Sequence, residues 1–296
     1  MARTLTEPPA ARRAIDALLE NYSFEVTARD LRALEDAAEA IPQGTKIAIT
    51  FLPNEDFPAR VVMAVKLRQL GFIPVPHISA RRLKSQAELE SFLEALQREA
   101  AIDRAFVIAG DPPQPQGPYE DALAVIRTGL LARYGIRMVG ISGYPEGHSD
   151  IGNEKLWQAR RDKLAAIEGQ GHDFAIVTQF GFDAGPILRW LEEMRKSGVR
   201  SLIRVGVPGP ASVQTLLRFA ARCGVGASAK VMSKYGVSIT KLLTTAGPDA
   251  LIKDLARGFD PAKHGDMRLH FYPFGGLKAT AEWVRDFRRA QQEGSA

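Results

Sequence analysis

The chain has 296 residues, 45% of them apolar, so it can bury a large core and is too apolar to be a disordered protein. The single cysteine, Cys223, excludes an internal disulfide, and no apolar run approaches the roughly 20 residues that span a bilayer. The net charge of +5 comes from scattered Arg and Lys rather than a basic block, which argues against a nucleic-acid partner. Because the N-terminal stretch also lacks the apolar segment of a secretory signal, we expect a cytoplasmic protein with no membrane association.

Apolar runs of strand length alternate with helical patterns along most of the chain. A helix is predicted first, over 8–22, because Ile15, Leu18 and Leu19 recur at helical spacing. Eight strand-like runs are then found, over 23–27, 46–51, 72–78, 104–109, 136–142, 174–180, 201–207 and 268–272. Helices are predicted between and after these runs. One begins at Asp30, and the others lie over 58–70, 85–100, 119–134, 153–168, 184–197 and 278–292.

Two stretches depart from this simple rhythm. The third run, FIPVPHI, contains Pro74 and Pro76, which argue against a regular hydrogen-bonded ladder there. About sixty residues separate the last two runs, and helices are predicted in them over 212–223, 228–243 and 249–257.

Eight βα units in a chain of this length predict an α/β fold of the (β/α)8 TIM-barrel type. We expect a single catalytic domain over 1–296, with an extra N-terminal helix and a long helical insertion before the last strand. A doubly wound open sheet is the alternative. It is disfavoured because Thr27, Ala28 and Arg29 stand where a G-x-G-x-x-G turn would follow the first strand.

Polar residues stand at or near the ends of the predicted strands, which a barrel would bring together at one mouth. These residues are Glu25, Thr50, His77, Asp111, Tyr144, His148, Gln179 and Tyr272. They show no metal-ligand spacing, no G-x-S-x-G nucleophile motif and no phosphate-binding P-loop. Carboxylates, imidazoles, an amide and phenols suit proton transfer and recognition of a heterocycle. Structural roles stay open, since Asp111 before two prolines suits a turn cap and His77 suits a buried core position.

Six short motifs occur at these strand ends in a fixed order. They are SFEVT at 23–27, PHI at 76–78, AGDPP at 109–113, YPEGH at 144–148, TQFGFD at 178–183 and LHFYPF at 269–274. Together they resemble the catalytic barrel of the methylenetetrahydrofolate reductase family, and the resemblance covers about residues 20 to 275. It implies reduction of 5,10-methylenetetrahydrofolate to 5-methyltetrahydrofolate, with hydride passed from NADH or NADPH to FAD and then to the folate. It also implies a role in one-carbon metabolism and methionine biosynthesis, and it leaves a homo-oligomer open.

The resemblance assigns a role to most of these positions. Glu25 matches the general acid that protonates N10 of the folate, and Asp111 matches the carboxylate that orients the pterin and the flavin. Substrate contacts are implied for Gln179, Asp111, Phe182 and Tyr272. Cofactor contacts are implied for Thr50, His77, Ala109, Gly110, Asp111, Tyr144, His148 and Lys163.

The chain also departs from the family pattern at positions near the flavin phosphates. Ala109 replaces an arginine, Leu156 and Ala159 replace Asp and Asn, and Asp162 replaces a basic residue. Fewer cations and an added carboxylate weaken anion binding. Direct hydride transfer from NAD(P)H, a non-catalytic folate-binding barrel, and a barrel enzyme acting on another heterocycle are therefore the alternatives.

Overall fold

The computed structural model describes residues 9–53, 55–223 and 244–293, and eight parallel strands within them close into a barrel. The strands of the described residues are β1 (Ser23–Val26), β2 (Lys46–Ile49), β3 (Ile73–Ser79), β4 (Arg104–Ile108), β5 (Met138–Gly143), β6 (Asp173–Phe180), β7 (Ile203–Pro208), β8 (Ala211–Ser212), β9 (Thr245–Ala246) and β10 (Met267–Tyr272). The barrel runs in chain order from β1 to β7, and β10 closes it by pairing with both β7 and β1. The predicted (β/α)8 TIM-type fold is confirmed.

Helices connect successive barrel strands and cover the outside of the barrel. They are α1 (Pro9–Leu19), α2 (Leu31–Ala37), α3 (Phe57–Gln69), α4 (Gln86–Ala100), α5 (Ala122–Ile126), α6 (Leu130–Arg133), α7 (Asn153–Gly169), α8 (Ala184–Lys196), α9 (Val213–Arg222), α10 (Asp249–Gly258), α11 (Pro261–His264) and α12 (Leu277–Glu293). Short 3-10 turns follow α2, at Ala38–Ala40, and β3, at Ala80–Arg82. Side-chain caps fix several starts: Ser85, for example, accepts a hydrogen bond from the Glu88 N–H at the start of α4.

The extra N-terminal helix and the insertion before the last strand are both present. Helix α1 packs against α10 and β10. The insertion contains α9, α10, α11 and the small antiparallel pair of β8 with β9. The helix predicted over 228–243 lies outside the described residues.

The prediction that Pro74 and Pro76 interrupt the ladder is wrong for the pairing with β2 and agrees with the pairing with β4. Both residues pair in register with β2, opposite Ile47 and Ile49. The N–H of Ile73 is directed at β2, so the N–H groups missing at the two prolines would face the other neighbour, β4. Pairing with β4 begins only at His77, beyond both prolines, and the strand loses no bond.

The single helix predicted over 119–134 is also wrong, because it is two short helices, α5 and α6. Gly129, between them, adopts a left-handed conformation with φ of +72°. The Thr128 hydroxyl caps both sides of the break: it donates to the carbonyl oxygen of Val125 at 2.7 Å and accepts from the N–H of Leu130 at 3.2 Å.

The apolar core lies mainly outside the barrel wall, between the strands and the helices. Phe24, Ile47, Val205 and Phe271 are fully buried there. Burial of one such side chain contributes about 2 kcal/mol. Since successive residues of a strand face opposite sides, the alternate residues face the barrel interior, and several of these are polar.

Gly206 on β7 lies too close to β6 to carry a side chain. A Cβ there would stand 2.6 Å from the carbonyl oxygen of Thr178 and 2.8 Å from main-chain atoms of Gln179 and Phe180. Because main-chain atoms cannot rotate away, Gly206→Ala is expected to lower the free energy of unfolding by about 1–3 kcal/mol. Urea unfolding measures the loss. Gly169→Ala, where a Cβ meets no atom within 4 Å, is the control and should change stability by less than about 1 kcal/mol. Equal stability of both variants would contradict the fit of β7 against β6.

Candidate active site

Polar side chains from several strands meet inside the barrel. Ser23 and Glu25 alternate with Phe24 on β1 and so face inward, and the pairing of β1 with β10 places Ser23 opposite His270. A cavity of about 120 Å³ occupies the interior, and Glu25, His270 and Tyr272 are among its lining residues. The interior therefore combines apolar residues such as Val75 and Val177 with groups able to transfer protons.

Glu25 is the carboxylate at the centre of this group. Its Oε2 lies 3.9 Å from Nε2 of His77 and 3.9 Å from Nε2 of His270, and its side chain is 23% exposed. Burial, followed by the charge of Glu25, raises the pKa of the Tyr272 phenol well above its usual value. The phenol is therefore a neutral hydroxyl, and it donates to the carbonyl oxygen of Thr178 at 3.0 Å.

Hydrogen bonds indicate the tautomer of His270. Ser23 Oγ lies 2.8 Å from Nδ1 of His270 and accepts a bond from Nη1 of Arg204 at 3.3 Å. Because a guanidinium only donates, the Ser23 hydroxyl is free to give its own hydrogen to Nδ1. This assignment leaves the imidazole hydrogen on Nε2, the atom nearest Glu25.

His77 is held by a buried arginine of α3. Arg60 is fully buried, donates to the carbonyl oxygen of His77 and packs against Phe51, with 4.4 Å between the guanidinium carbon and the ring centroid. Burial, and then the charges of Arg60 and His270, hold the pKa of His77 well below its usual 6.5. The ring facing Glu25 is thus a neutral imidazole at neutral pH.

The low pKa of His77 predicts a pH dependence of stability. The unfolded chain binds a proton at this residue below pH 6.5 and the native state does not, so stability should fall as the pH falls through that value. The cost is up to about 1.4 kcal/mol per pH unit. Unfolding of wild type and His77→Gln at pH 7.5 and pH 5.5 measures it, and the variant should lose less stability. Equal losses would contradict a neutral His77, since other groups such as His264 contribute to both proteins.

The end of β4 presents Asp111 at the barrel mouth. Gly110 has φ of +92°, and a Cβ there would stand 2.9 Å from Ser79 Oγ, so glycine suits this corner. The Asp111 side chain is 60% exposed and forms an ion pair with Arg82, which ends the 3-10 turn after β3. Ala109, just before, accepts a bond from the main-chain N–H of Arg81. A guanidinium therefore lies beside Asp111, although Ala109 stands where the family pattern has an arginine.

The predicted substrate residues of β6 are engaged with the insertion. Gln179 donates through Nε2 to the carbonyl oxygen of Cys223 at 3.0 Å, which joins the end of β6 to the end of α9. Phe182 is 3% exposed and belongs to a small apolar cluster with Phe180 and Val213. Its contact with a substrate stays a prediction.

The predicted cofactor residues occupy two places. Thr50 is buried at the end of β2, where its hydroxyl donates to the carbonyl oxygen of Val26 at 3.3 Å. Tyr144 and His148 pack edge to face after β5, with ring centroids 5.2 Å apart, and burial raises the pKa of Tyr144. Lys163 lies on α7, where burial lowers its pKa despite the nearby charge of Asp121.

A cleft of about 420 Å³ opens between the end of β5 and the helices α7 and α8. Tyr144, Trp157, Trp190, Arg160 and Arg189 are among the residues that line it. Arg160 is 8% exposed and stacks on Trp157 at 4.1 Å, and its Nε has no hydrogen-bond partner. Within the part of the chain that the structure describes, no carboxylate lies within 4.0 Å of either guanidinium. The cleft thus offers aromatic faces and two guanidinium groups without ion-pair partners among the described residues, and Glu146 and Glu193 also line it.

Sequence reasoning missed several members of this arrangement. His270 lies beside Glu25 and is bonded through Ser23 to Arg204, and none of the three stands at the C-terminal end of a strand. Arg60 and Arg82 come from a helix and a turn. The alternation of inward residues on β10 offered a signal for His270, which stands two residues before Tyr272.

A family model for methylenetetrahydrofolate reductase matches residues 20–282. The chain belongs to this family. The family assignment made from the six motifs is therefore confirmed. Helices of the described residues include none that is long and apolar enough to cross a membrane.

Individual relatives are distant. Methylenetetrahydrofolate reductase (NADH) 1 of Arabidopsis thaliana is 26% identical over 156 residues, which is 46% of this chain and 25% of that protein. The match thus spans about a quarter of the relative's length. A solved structure from Clostridium thermocellum, of a protein that binds two copies of 5-methyl-5,6,7,8-tetrahydrofolic acid, has a TM-score of 0.55 at 10% identity, covering 93% of this chain and 99% of that one. Dihydropteroate synthase of Thermus thermophilus has a TM-score of 0.46 at 14% identity, covering 92% and 95%.

Proposed function

We propose that this chain reduces 5,10-methylenetetrahydrofolate to 5-methyltetrahydrofolate with hydride from NADH or NADPH, carried by FAD. The observation that carries the proposal is the inward carboxyl of Glu25, held between two imidazoles in a barrel of this family. The methylated folate bound by the Clostridium protein supports a folate substrate, and the name of the Arabidopsis relative supports NADH as the donor to test first.

We infer that a flavin dinucleotide would be held by other groups than the family's usual phosphate contacts. Leu156, Ala159 and Asp162 on α7 offer no cation. Arg160 and Arg189, in the cleft beside Tyr144, supply two guanidinium groups without ion-pair partners among the described residues. We infer that these arginines would hold the diphosphate, with Tyr144 and His148 beside it. When bound, FAD supplies the hydride carrier between the nicotinamide and the folate.

Glu25 would donate the proton that the reaction requires. Protonation of N10 opens the five-membered ring of the folate and leaves an iminium carbon that accepts hydride. The 3.9 Å separations from His77 and His270 keep the carboxyl in the interior, and the Nε2 hydrogen assigned to His270 would orient it. The neutral His77 ring and the neutral Tyr272 phenol lie in the same interior group as the carboxyl.

Asp111 would orient the substrate at the mouth. Its exposed carboxylate can accept hydrogen bonds from the N–H groups of the pterin, and Arg82 fixes its position. Gln179 and Tyr272, at the ends of β6 and β10, would border the same ring system.

An absorbance spectrum of the purified chain between about 300 and 550 nm, before and after loading with FAD, is the test of this function, since a bound flavin reports its own redox state. Bleaching of a bound flavin by NADH or NADPH, and its restoration by methylenetetrahydrofolate, is the expected result. A colourless protein that still oxidises the nicotinamide with the folate would replace the carrier with direct hydride transfer. Folate binding without nicotinamide oxidation would identify a non-catalytic barrel, and no folate binding would point to another heterocycle.

A further inference from the structure

Cationic side chains converge at the N-terminal end of the barrel interior, opposite the mouth. Lys46 and Arg104 are the first residues of β2 and β4, and Arg204 is the second residue of β7. All three line the interior cavity of about 120 Å³. We call this group the barrel floor. It lies at the opposite end from Asp111, in the same cavity that Glu25 and Tyr272 line nearer the mouth.

Arg204 is the buried centre of the floor. It is 4% exposed, and its Nη1 donates to the main-chain oxygen of Asn21 at 2.7 Å and to Ser23 Oγ at 3.3 Å. Its Nη2 is buried and has no hydrogen-bond partner. Leaving such a charged donor unsatisfied is costly, so an acceptor in the adjoining cavity would stabilise it.

Carboxylates neutralise the floor only in part: Asp103 pairs with Arg104, the charge of Asp266 acts on Arg204, and Glu25 lines the same cavity. Lys46 donates to the side-chain oxygen of Asn21 at 2.8 Å, so Asn21 binds both Lys46 and Arg204. Within the described residues, no carboxylate lies within 4.0 Å of either cation, whereas Arg104 is paired with Asp103 at 2.8 Å. Burial, and then the charges of Arg204 and Arg104, lower the pKa of Lys46 to about 8. These cations repel one another, and an anion between them would remove that cost.

We propose that the barrel floor binds a small free oxyanion such as inorganic phosphate. A water molecule occupies about 30 Å³ of liquid, so a cavity of about 120 Å³ can hold a tetrahedral oxyanion beside ordered water. The unpartnered Nη2 of Arg204 and the Lys46 ammonium supply the donors. This inference does not depend on the proposed folate chemistry.

Thermal unfolding of the full chain in increasing sodium phosphate, with ionic strength held constant by sodium gluconate, tests the proposal. Wild-type Tm should rise saturably, by roughly 5 °C at about one hundred times the dissociation constant. Lys46→Met should weaken phosphate binding about 10-fold or more, because one charge-assisted contact is lost. Lys196→Met removes an exposed lysine of α8 and should leave the phosphate response unchanged.

Arg204→Met is expected to abolish the response if it folds. If Arg204→Met does not fold, calorimetric titration of phosphate into the folded Lys46→Met protein tests the site instead. A linear response to phosphate, or identical dissociation constants for wild type and Lys46→Met, would overturn the site. A saturable response to chloride equal to that of phosphate would overturn the oxyanion assignment. Folate reduction is measured in a separate assay, so failure of the proposed reductase activity would not affect the conclusion about phosphate binding.

Discussion

Glu25→Gln is expected to lower folate reduction by about 10²–10⁴-fold while the protein stays folded. Glutamine matches the size of the carboxyl and keeps its place between His77 and His270, but it cannot act as an acid. Turnover of NADH with methylenetetrahydrofolate measures the loss. Reduction of a bound flavin by NADH should persist, because that half of the reaction does not use the proton on N10.

The matched control is Glu94→Gln, which changes the same functional group on the exposed face of α4. It should retain wild-type turnover and wild-type Tm. Folate binding, followed by fluorescence or calorimetry, should remain within a few-fold of wild type in Glu25→Gln, since the expected defect lies in the chemical step. Half-normal turnover in Glu25→Gln would exclude the acid role.

Asp111→Asn is expected to lower kcat/KM for the folate by about 10–100-fold. The substitution keeps the shape of the side chain but removes the charge that would accept hydrogen bonds from the pterin. It also removes the ion pair with Arg82, so the geometry of the mouth changes as well. Steady-state kinetics with varied folate concentration measures the effect.

A double-mutant cycle with Arg82→Ala separates these two contributions. If Arg82 acts by holding Asp111 in place, the double variant should be little worse than Asp111→Asn alone. Asp286→Asn, at an exposed carboxylate of α12 that also pairs with an arginine, should leave kcat/KM unchanged and serves as the control. An unchanged kcat/KM in Asp111→Asn would contradict its role in orienting the pterin.

The eight barrel strands could be predicted because each is a short apolar run that ends in glycine, proline or polar residues. Most observed strand ends fall within one or two residues of the prediction. The errors came from local backbone chemistry. Pro74 and Pro76 lack N–H groups only on the side where β4 does not yet pair, and Gly129 divides a continuous helical pattern.

The candidate site was predictable only in part. Glu25, Asp111 and Tyr272 belong to ordered motifs at strand ends, so the sequence indicates their places. Arg82 lies far from Asp111 in sequence, and only the closed barrel brings its guanidinium to the position beside Ala109. The partners of Glu25 likewise depend on the pairing of β1 with β10, which no local pattern specifies.

The proposed function requires that nicotinamide hydride ends in the methyl group of the folate. The chain is incubated with FAD, methylenetetrahydrofolate and NADH that carries deuterium at both C4 positions. Mass spectrometry of the product then tests this transfer directly. Deuterium is expected in the 5-methyl group, with partial loss to solvent if the hydride passes through the flavin. Consumption of NADH without label in the methyl group, or no methyltetrahydrofolate with either nicotinamide, would contradict it.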